Sequence, residues 1–542
     1  MGGETHRVAN QAPPLAPYDV FAADLPLAEA VEREGGGWGV DRLRDTGALA
    51  GSPEAIEHSE RAERNEPRLC THDRYGHRVD EVELDPSWHW LLRQAVEREI
   101  HSLPWREPGA GAHVVRAALM FLWSQVNSGV MCPVSMTYSA IPALRANPDL
   151  AAEWEPRLTR PSYEGGALAG MAMTEKQGGS DVRANTTSAE PAGDGLHEVT
   201  GHKWFCSYPP CDVFLTLAQA PAGLSCFLIE GDDPGFRLQR LKDKLGTRSL
   251  PSCEVEFHGV QGRLVGEEGR GVAAITRMVN HTRLDCLIGS AAGMRWGLAQ
   301  AVHHARHRSA FGAPLATQPL MGNVLADLAI ESEAATAAAL RVARAYDESD
   351  SAFRRLATAV MKYWVCKRAP MHALEALECL GGNGYVEDSG MPRLLRDSPL
   401  NSIWEGSGNV AALDVLRAIA REPQALPAFL TELELASGAD SRLDAHLGRL
   451  RSLAPSLGRP EDDHLHQGRR PDAGMGYSQW DARSLVEDLA LGLQASLLVR
   501  HAPPAVADAF CASRLGGEGG RAFGTLGAGV DAEAILERAL AG

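Results

Sequence analysis

Apolar and polar positions alternate with three different textures along the chain. In 86–100, apolar residues recur at Trp88, Leu91, Leu92, Ala95, Val96 and Ile100. That spacing of three and four puts them on one helical face. A similar stripe runs through 112–126, so 41–160 reads as helical. The segment Met131-Cys132-Pro133-Val134-Ser135-Met136-Thr137 mixes apolar and hydroxyl residues and reads equally as a buried helix or a pocket lining. Between about 165 and 270 the period drops to two. Val213-Phe214-Leu215-Thr216-Leu217, Ser225-Cys226-Phe227-Leu228-Ile229 and Glu254-Val255-Glu256-Phe257 are short β-rich runs separated by turn residues. Strands and helices do not alternate here, and no GxGxxG follows a strand. The pattern predicts an antiparallel barrel or sandwich and excludes a dinucleotide-binding doubly wound sheet.

From about 272 to 420 the helical spacing returns. Leu284, Leu287, Ile288, Ala291, Met294, Leu298, Ala301, Val302 and Ala305 form one long stripe. Further helices are predicted near 318–346, 353–380 and 407–419, which together make a four-helix bundle. Residues 1–40 carry Pro13-Pro14 and Gly35-Gly36-Gly37 and read as an irregular arm with one short helix near 26–34. The predicted fold class is α+β, mostly α. It comprises an arm (1–40), a helical domain (41–164), a central antiparallel β domain (165–271), a four-helix bundle (272–420) and an additional helical region (421–542). That last region is interrupted by a polar stretch at 458–476.

Composition narrows the class. At 542 residues the chain exceeds one ordinary core. A net charge of −17 argues against a surface that coats nucleic acid or acidic lipid as a whole, although a local basic patch stays compatible with it. Ten scattered Cys with no CxxC pair fit reduced, buried thiols. No apolar run reaches 18 residues, and the start lacks the charged-then-apolar order of a signal peptide, so a cytoplasmic protein off the membrane is expected. His303, His304 and His307 point to different helix faces with nothing at useful spacing to complete a ligand set. Asp462-Asp463-His464-Leu465-His466 reads as a solvated loop. No metal is expected.

Five stretches could carry chemistry. Asn401-Ser402-Ile403-Trp404-Glu405-Gly406-Ser407-Gly408-Asn409-Val410 holds one carboxylate between a Trp and a Gly, with no Lys or Arg nearby in sequence. Glu405 is either a desolvated general base or the first-turn acid of the next helix. Met171–Asp181 places hydroxyls and a Gly pair where backbone N–H groups could cradle a phosphate, or is a plain loop. Gly201-His202-Lys203-Trp204-Phe205-Cys206-Ser207 could stack an aromatic on a flat ring, or fill a core. Arg306–Leu315 ends a helix with basic residues and a Gly, and Arg308 could also reach a phosphate on a neighbouring subunit. Leu380-Gly381-Gly382-Asn383-Gly384-Tyr385 is a helix cap, a place of close backbone approach, or both.

Taken together and in order, TEKQGGSDV, GHKWF, LKDKLG, SCEVEF, QPLM and NSIWEGSGN resemble the acyl-CoA dehydrogenase family. Within it, the resemblance is to the flavoprotein subgroup of the bacterial response to alkylation damage, and it covers nearly the whole chain. It implies a helical domain, a β domain and a four-helix bundle that bind FAD. Thr174, with Met173 beside it, would meet the flavin's pyrimidine edge, and Ser180 the pyrophosphate. Phe205 falls where relatives stack a Trp, and Ser207 where they place a Thr near flavin N5. Trp404, Ser407 and Asn409 would lie along the flavin and its phosphates. Arg308, Phe311, Gln318, Gly381 and Gly382 would hold the adenine half across a subunit contact, which implies a homotetramer.

The same resemblance makes Glu405 the catalytic base. Some relatives carry the base near the position of Thr282, which cannot serve. The implied reaction removes the α-proton of an acyl-CoA thioester, with hydride passing from Cβ to N5. A short branched substrate such as isovaleryl-CoA is implied, with electron-transferring flavoprotein as the acceptor. In the subgroup the extra C-terminal region is implicated in binding double-stranded DNA. Here 421–542 holds 12 Arg and no Lys against 17 acids, leaving Arg469-Arg470 and Arg442, Arg449 and Arg451 as a candidate patch. The alternative expectation is therefore a flavin-containing, DNA-associated protein with weak or vestigial dehydrogenase activity.

Overall fold

The structure, a computed structural model, describes residues 5–348, 351–457 and 479–539. The stretch 458–476, with Arg469-Arg470 and Asp462–His466, lies outside the described residues. The chain divides into two compact units, one of residues 41–286 with 404–407, the other of 1–40, 287–403 and 408–542.

The first unit combines helices with one sheet. Pro86–Glu97 starts at Asp85, whose carboxylate accepts the Ser87 amide at 2.8 Å, with Pro in the first turn. It buries Trp88, Leu91, Leu92, Ala95 and Val96, the predicted stripe. Met131–Leu144 is buried almost all round. Its Thr137 hydroxyl donates to the Pro133 carbonyl at 2.7 Å and accepts the Ala169 amide at 3.0 Å, so that hydroxyl's burial is compensated.

The helical reading of 41–160 misses a hairpin, β1 (Arg68–His72) with β2 (Arg78–Glu83). Its turn relies on Gly76 at φ +90° and on Asp73, which accepts the Tyr75 and His77 amides. The sheet runs through β3 (Ala169–Ala172), β4 (Ser188–Gly193), β5 (Leu196–Ser207), β6 (Val213–Ala220), β7 (Gly223–Glu230), β8 (Phe236–Leu241) and β9 (Ser252–Leu264). The order is β3-β6-β4-β5-β9-β7, with β8 on β9, and a β6–β7 pairing closes the ring into a barrel. The pairing is mostly antiparallel, as the period-two runs predict. However, β3 runs parallel to β6, and β4 touches β6 in parallel. The β3 strand enters from the helices without a hairpin, so no tight turn constrains its direction.

The second unit holds the long helices Gly271–His307 (from Leu287 on), Pro319–Asp347 and Ser351–Cys379, with Gly408–Arg421 as the fourth. Leu25–Arg33 is the short helix of the arm, capped by Asp24, which accepts the Leu27 amide. Helices from Ala425 onward pack in the same unit, and arginines knit them to it. Arg514 pairs with Asp327 (2.5 Å) and Glu331 (3.0 Å), and Arg538 with Glu333 (2.9 Å) and Glu29. Arg500 and Arg341 share Glu432. Asp327, Glu331 and Glu333 are buried on the Pro319–Asp347 helix, so each requires the cation it meets.

Candidate active site

Glu405 precedes the Gly408–Arg421 helix by three residues and lies at φ +58°, followed by Gly406 at +103°. It is therefore not a first-turn acid. A non-glycine residue in the left-handed region costs on the order of 1–3 kcal/mol and persists where neighbours impose it. Two adjacent residues of the Gly271–His307 helix do so. Arg283 Nε donates to the Glu405 carbonyl at 2.9 Å, and Thr282 Oγ1 donates to Glu405 Oε2 at 2.6 Å. Thr282, near whose position the family resemblance puts the base of some relatives, here grips the Glu405 carboxylate. Glu405 is half-buried, and Trp404 and Ser407 flank it in the same unit.

Cys132 lies close enough to feel this carboxylate, and further groups gather around its thiol. Burial pushes the Cys132 thiol up to about 12; the Lys244 ammonium opposes this, Glu405 adds to it, and Ser207 shares a hydrogen bond with the thiol. Lys244 Nζ also donates to Ser252 Oγ at 3.1 Å and to the Leu250 carbonyl, and Ser252 Oγ lies 3.5 Å from Ser207 Oγ. Sequence reading missed Lys244, Ser252 and Arg283 as site residues, and raised Cys132 only within a segment that could line a pocket. LKDKLG and SCEVEF contain two of them, but only the folded chain brings Lys244 to Cys132 and Ser252 to Ser207.

The segments expected to meet a flavin lie side by side. Trp204 N donates to the Thr174 carbonyl at 2.7 Å, and Asn185 Nδ2 to that of Met173 at 2.9 Å. A bulge between Lys203 and Cys206 breaks the alternation of β5 and turns Trp204 and Phe205 outward together. Their rings meet edge-on at 6.4 Å, and Lys242 Nζ stands 3.0 Å from the Trp204 ring centre. Phe205 is 49% exposed, so it is no core residue. In the 178–180 turn, a Cβ on Gly179 would meet Thr174 Cγ2 at 3.0 Å. The amides of Gly179 and Ser180 donate to no group among the described residues. An exposed aromatic face, two hydroxyl residues and two amides open to a ligand fit an isoalloxazine with its pyrophosphate.

In the second unit, Ser309–Ala310 and Ala313–Pro314 form a minimal hairpin around Phe311 (φ +52°) and Gly312 (+83°). Positive φ at both turn residues is the type I′ geometry that such two-residue loops prefer. Phe311 is 100% exposed at its tip. Gln318 Nε2 braces the hairpin through the Ala310 carbonyl at 2.8 Å. Arg308 donates to the Asn10 carbonyl, and the Asn10 side chain takes the Ser309 amide at 2.7 Å and gives to the Ser309 carbonyl at 2.8 Å. Gln11 accepts from Asn383 at 3.4 Å. The arm thus joins Arg308 to the turn of Gly381 and Gly382. Gly381, at φ +59°, caps the Ser351–Cys379 helix, and both glycines face open space, so cap and accessible backbone coincide. Asn409 stands apart from these, accepting from Arg483 at 3.0 Å.

Among the described residues no group of three or more His, Cys, Asp or Glu is disposed to hold a metal. Among the same described residues no helix is long and apolar enough to cross a membrane.

Three family descriptions match successive parts of the chain. They are the adaptive response protein AidB N-terminal domain at 10–165, the acyl-CoA dehydrogenase middle domain at 170–260 and the acyl-CoA dehydrogenase C-terminal domain at 269–420. AidB of Escherichia coli (strain K12) is 39% identical over 540 residues, 96% of each chain. Acyl-CoA dehydrogenase family member 11 of Caenorhabditis elegans is 32% identical over 82% of this chain and 78% of its own. The crystal structure of Caenorhabditis elegans ACDH-11 in complex with C11-CoA superposes with a TM-score of 0.84 at 27% identity, covering 99% of this chain and 94% of that one.

Proposed function

The chain belongs to the acyl-CoA dehydrogenase family as an oxidoreductase of AidB type, and from that premise we propose an FAD-dependent α,β-dehydrogenation of acyl-CoA with Glu405 as base. The observation that carries this reading is the left-handed Glu405, gripped at its carbonyl by Arg283 and at its carboxylate by Thr282. A carboxylate fixed at both ends loses little freedom when it takes a proton, so its orientation does not have to be found anew in each turnover. The proton it removes is the one α to the thioester carbonyl. That carbon acidifies only if the thioester oxygen is hydrogen-bonded, and the Glu405 backbone N–H is the proposed protein donor.

Bound FAD supplies the hydride acceptor. Thr174, Met173, Ser180, Phe205, Ser207, Trp404, Ser407 and Asn409 are proposed to hold its flavin and phosphates. Arg308, Phe311, Gln318, Gly381 and Gly382 are proposed to hold the adenine half of the FAD bound to a second copy. The fully exposed, positive-φ Phe311 supports that arrangement, as do Leu320 and Tyr385, both 83% exposed. The proposed assembly is a homotetramer. Short branched acyl-CoA such as isovaleryl-CoA is the proposed substrate, electron-transferring flavoprotein the acceptor, and the cytoplasm the location.

The alternative, a DNA-associated protein of the alkylation response, draws less support. Arg442 is neutralised by Asp440 and Asp508, Arg451 pairs with Glu434, and Arg449 is turned to His446. The test is anaerobic titration of the purified protein with acyl-CoAs of graded length and branching. Bleaching of the visible flavin band is expected with at least one, and a flavin that stays oxidised throughout would remove catalysis as the main role.

A further inference from the structure

Glu175 and Lys203 form an ion pair with both side chains fully buried, Nζ to Oε1 2.8 Å, and the proposed reaction uses neither. Fully buried pairs contribute little net stability against an apolar replacement, so their retention calls for another account. Here the surroundings supply one. Lys203 also donates to the Leu217 carbonyl at 2.7 Å. Glu175 collects Gln177 Nε2 at 2.6 Å, the Thr186 amide at 2.7 Å and hydroxyl at 3.1 Å, and the Thr187 amide at 3.3 Å. Around the pair, three consecutive residues of the loop meet three of β5: Thr174 with Trp204, Glu175 with Lys203, and Lys176 with His202 (N to Nε2, 3.1 Å). Thr174 and Ser180 flank Glu175 in the chain. Phe205 and Ser207 follow Lys203 across the bulge.

We infer that this pair is a positioning element for the cofactor. It fixes the register between the segment bearing Thr174 and Ser180 and the segment bearing Phe205 and Ser207, so that hydroxyl edge and aromatic face meet one flavin together. The inference rests on the FAD reading above.

The test uses the full-length chain, titrated with FAD after cofactor removal, with the melting of the FAD-free form measured alongside. Lys203→Met alone orphans a buried carboxylate and is expected to lower the melting temperature. Glu175→Gln with Lys203→Met removes both charges and is expected to restore melting close to wild type. In that double variant FAD binding stays at least tenfold weaker, and the shape of the bound flavin's visible band is altered. A role in stability alone would restore binding with melting, so a double variant that binds within twofold of wild type overturns the inference. Gln177 is exposed, and its removal leaves the Glu175–Lys203 pair itself in place. Gln177→Ala is expected to weaken FAD at least threefold, unchanged binding counts against the inference, and this variant decides if the double variant does not fold. A wild-type chain that takes up no FAD defeats the cofactor reading itself, a result distinct from either variant outcome.

Discussion

At Glu405 two separate demands are met by one short helical segment. Arg283 holds the backbone where few side-chain-bearing residues go, and Thr282 holds one carboxylate oxygen. Glu405→Gln should keep FAD and its oxidised spectrum while flavin reduction by acyl-CoA falls by roughly a thousandfold or more, since no base of similar reach replaces it. Thr282→Val should slow reduction by about tenfold, the scale of one hydrogen bond to a charged group. It should also move the acid limb of the pH–rate profile to higher pH, because the carboxylate loses a donor that favours its charged form. Unchanged rates and profile in stopped-flow reduction would show Thr282 to be a bystander. At Glu175 burial alone would push the carboxyl up, but Lys203 and the 186–187 donors outweigh it and hold it at about 2. A depressed carboxyl stabilises the fold above its ordinary range, near 4.5, and loses that contribution as pH falls towards 2. Melting curves between pH 5 and 3 should therefore fall more steeply for wild type than for Glu175→Gln. At this scale a residue in a distinctive motif drew notice from the sequence, as Glu405 and Phe205 did, and the structure gives their placement: a left-handed Glu405 and an exposed Phe205. The link from Lys244 through Cys132 to Glu405 was not legible there, because it exists only after the chain has folded.

The long helices were readable from their apolar stripes, since each buries one face and the spacing repeats over many turns. Short elements escaped that logic. The strands of the β1–β2 hairpin bury no residue, so burial writes little of their alternation into the sequence. The bulge at Trp204-Phe205 reads as an ordinary aromatic pair, and a Phe at φ +52° is not a residue from which a turn is predicted. Charge pairing between elements was equally hidden. Arg514 and Arg368 hold Glu331 at about 2 against the upward push of burial, and Arg514 reaches Asp327 as well. Removing one partner of such a buried pair typically costs about 3–5 kcal/mol. Arg514→Ala should lower the denaturation midpoint accordingly. Truncation after residue 421 should fail to give a cooperatively folding bundle, as measured by chemical denaturation, because Asp327 and Glu333 lose their cations together. A truncated chain that melts like the full one would make the C-terminal helices a separable module.

For the molecule as a whole, the acidic balance and the paired arginines point the same way. Five of the nine described arginines of 421–539 face carboxylates, so over half of the described positive charge of that region is already paired. Binding to duplex DNA should be weak at low salt and absent at physiological salt by fluorescence anisotropy, and a salt-resistant complex would revive the alternative role. The exposed apolar residues bear on the proposed assembly. Phe311→Asp should shift sedimentation to a smaller species and weaken FAD retention in parallel. A tetramer that survives the change would separate the hairpin from assembly. Overall class and the order of helical and β regions were legible from periodicity. Closure of the barrel and the parallel β3 were not, because strand partners are chosen across long stretches of chain that leave no mark on local spacing.

The Asn10–Gln11 contacts carry a practical consequence. These two residues bind the Arg308 turn and Asn383 through side chains and carbonyl. A purification tag whose removal trims the first dozen amino acids would strip that brace. Such a preparation would fade on the bench while an untrimmed one kept its yellow colour.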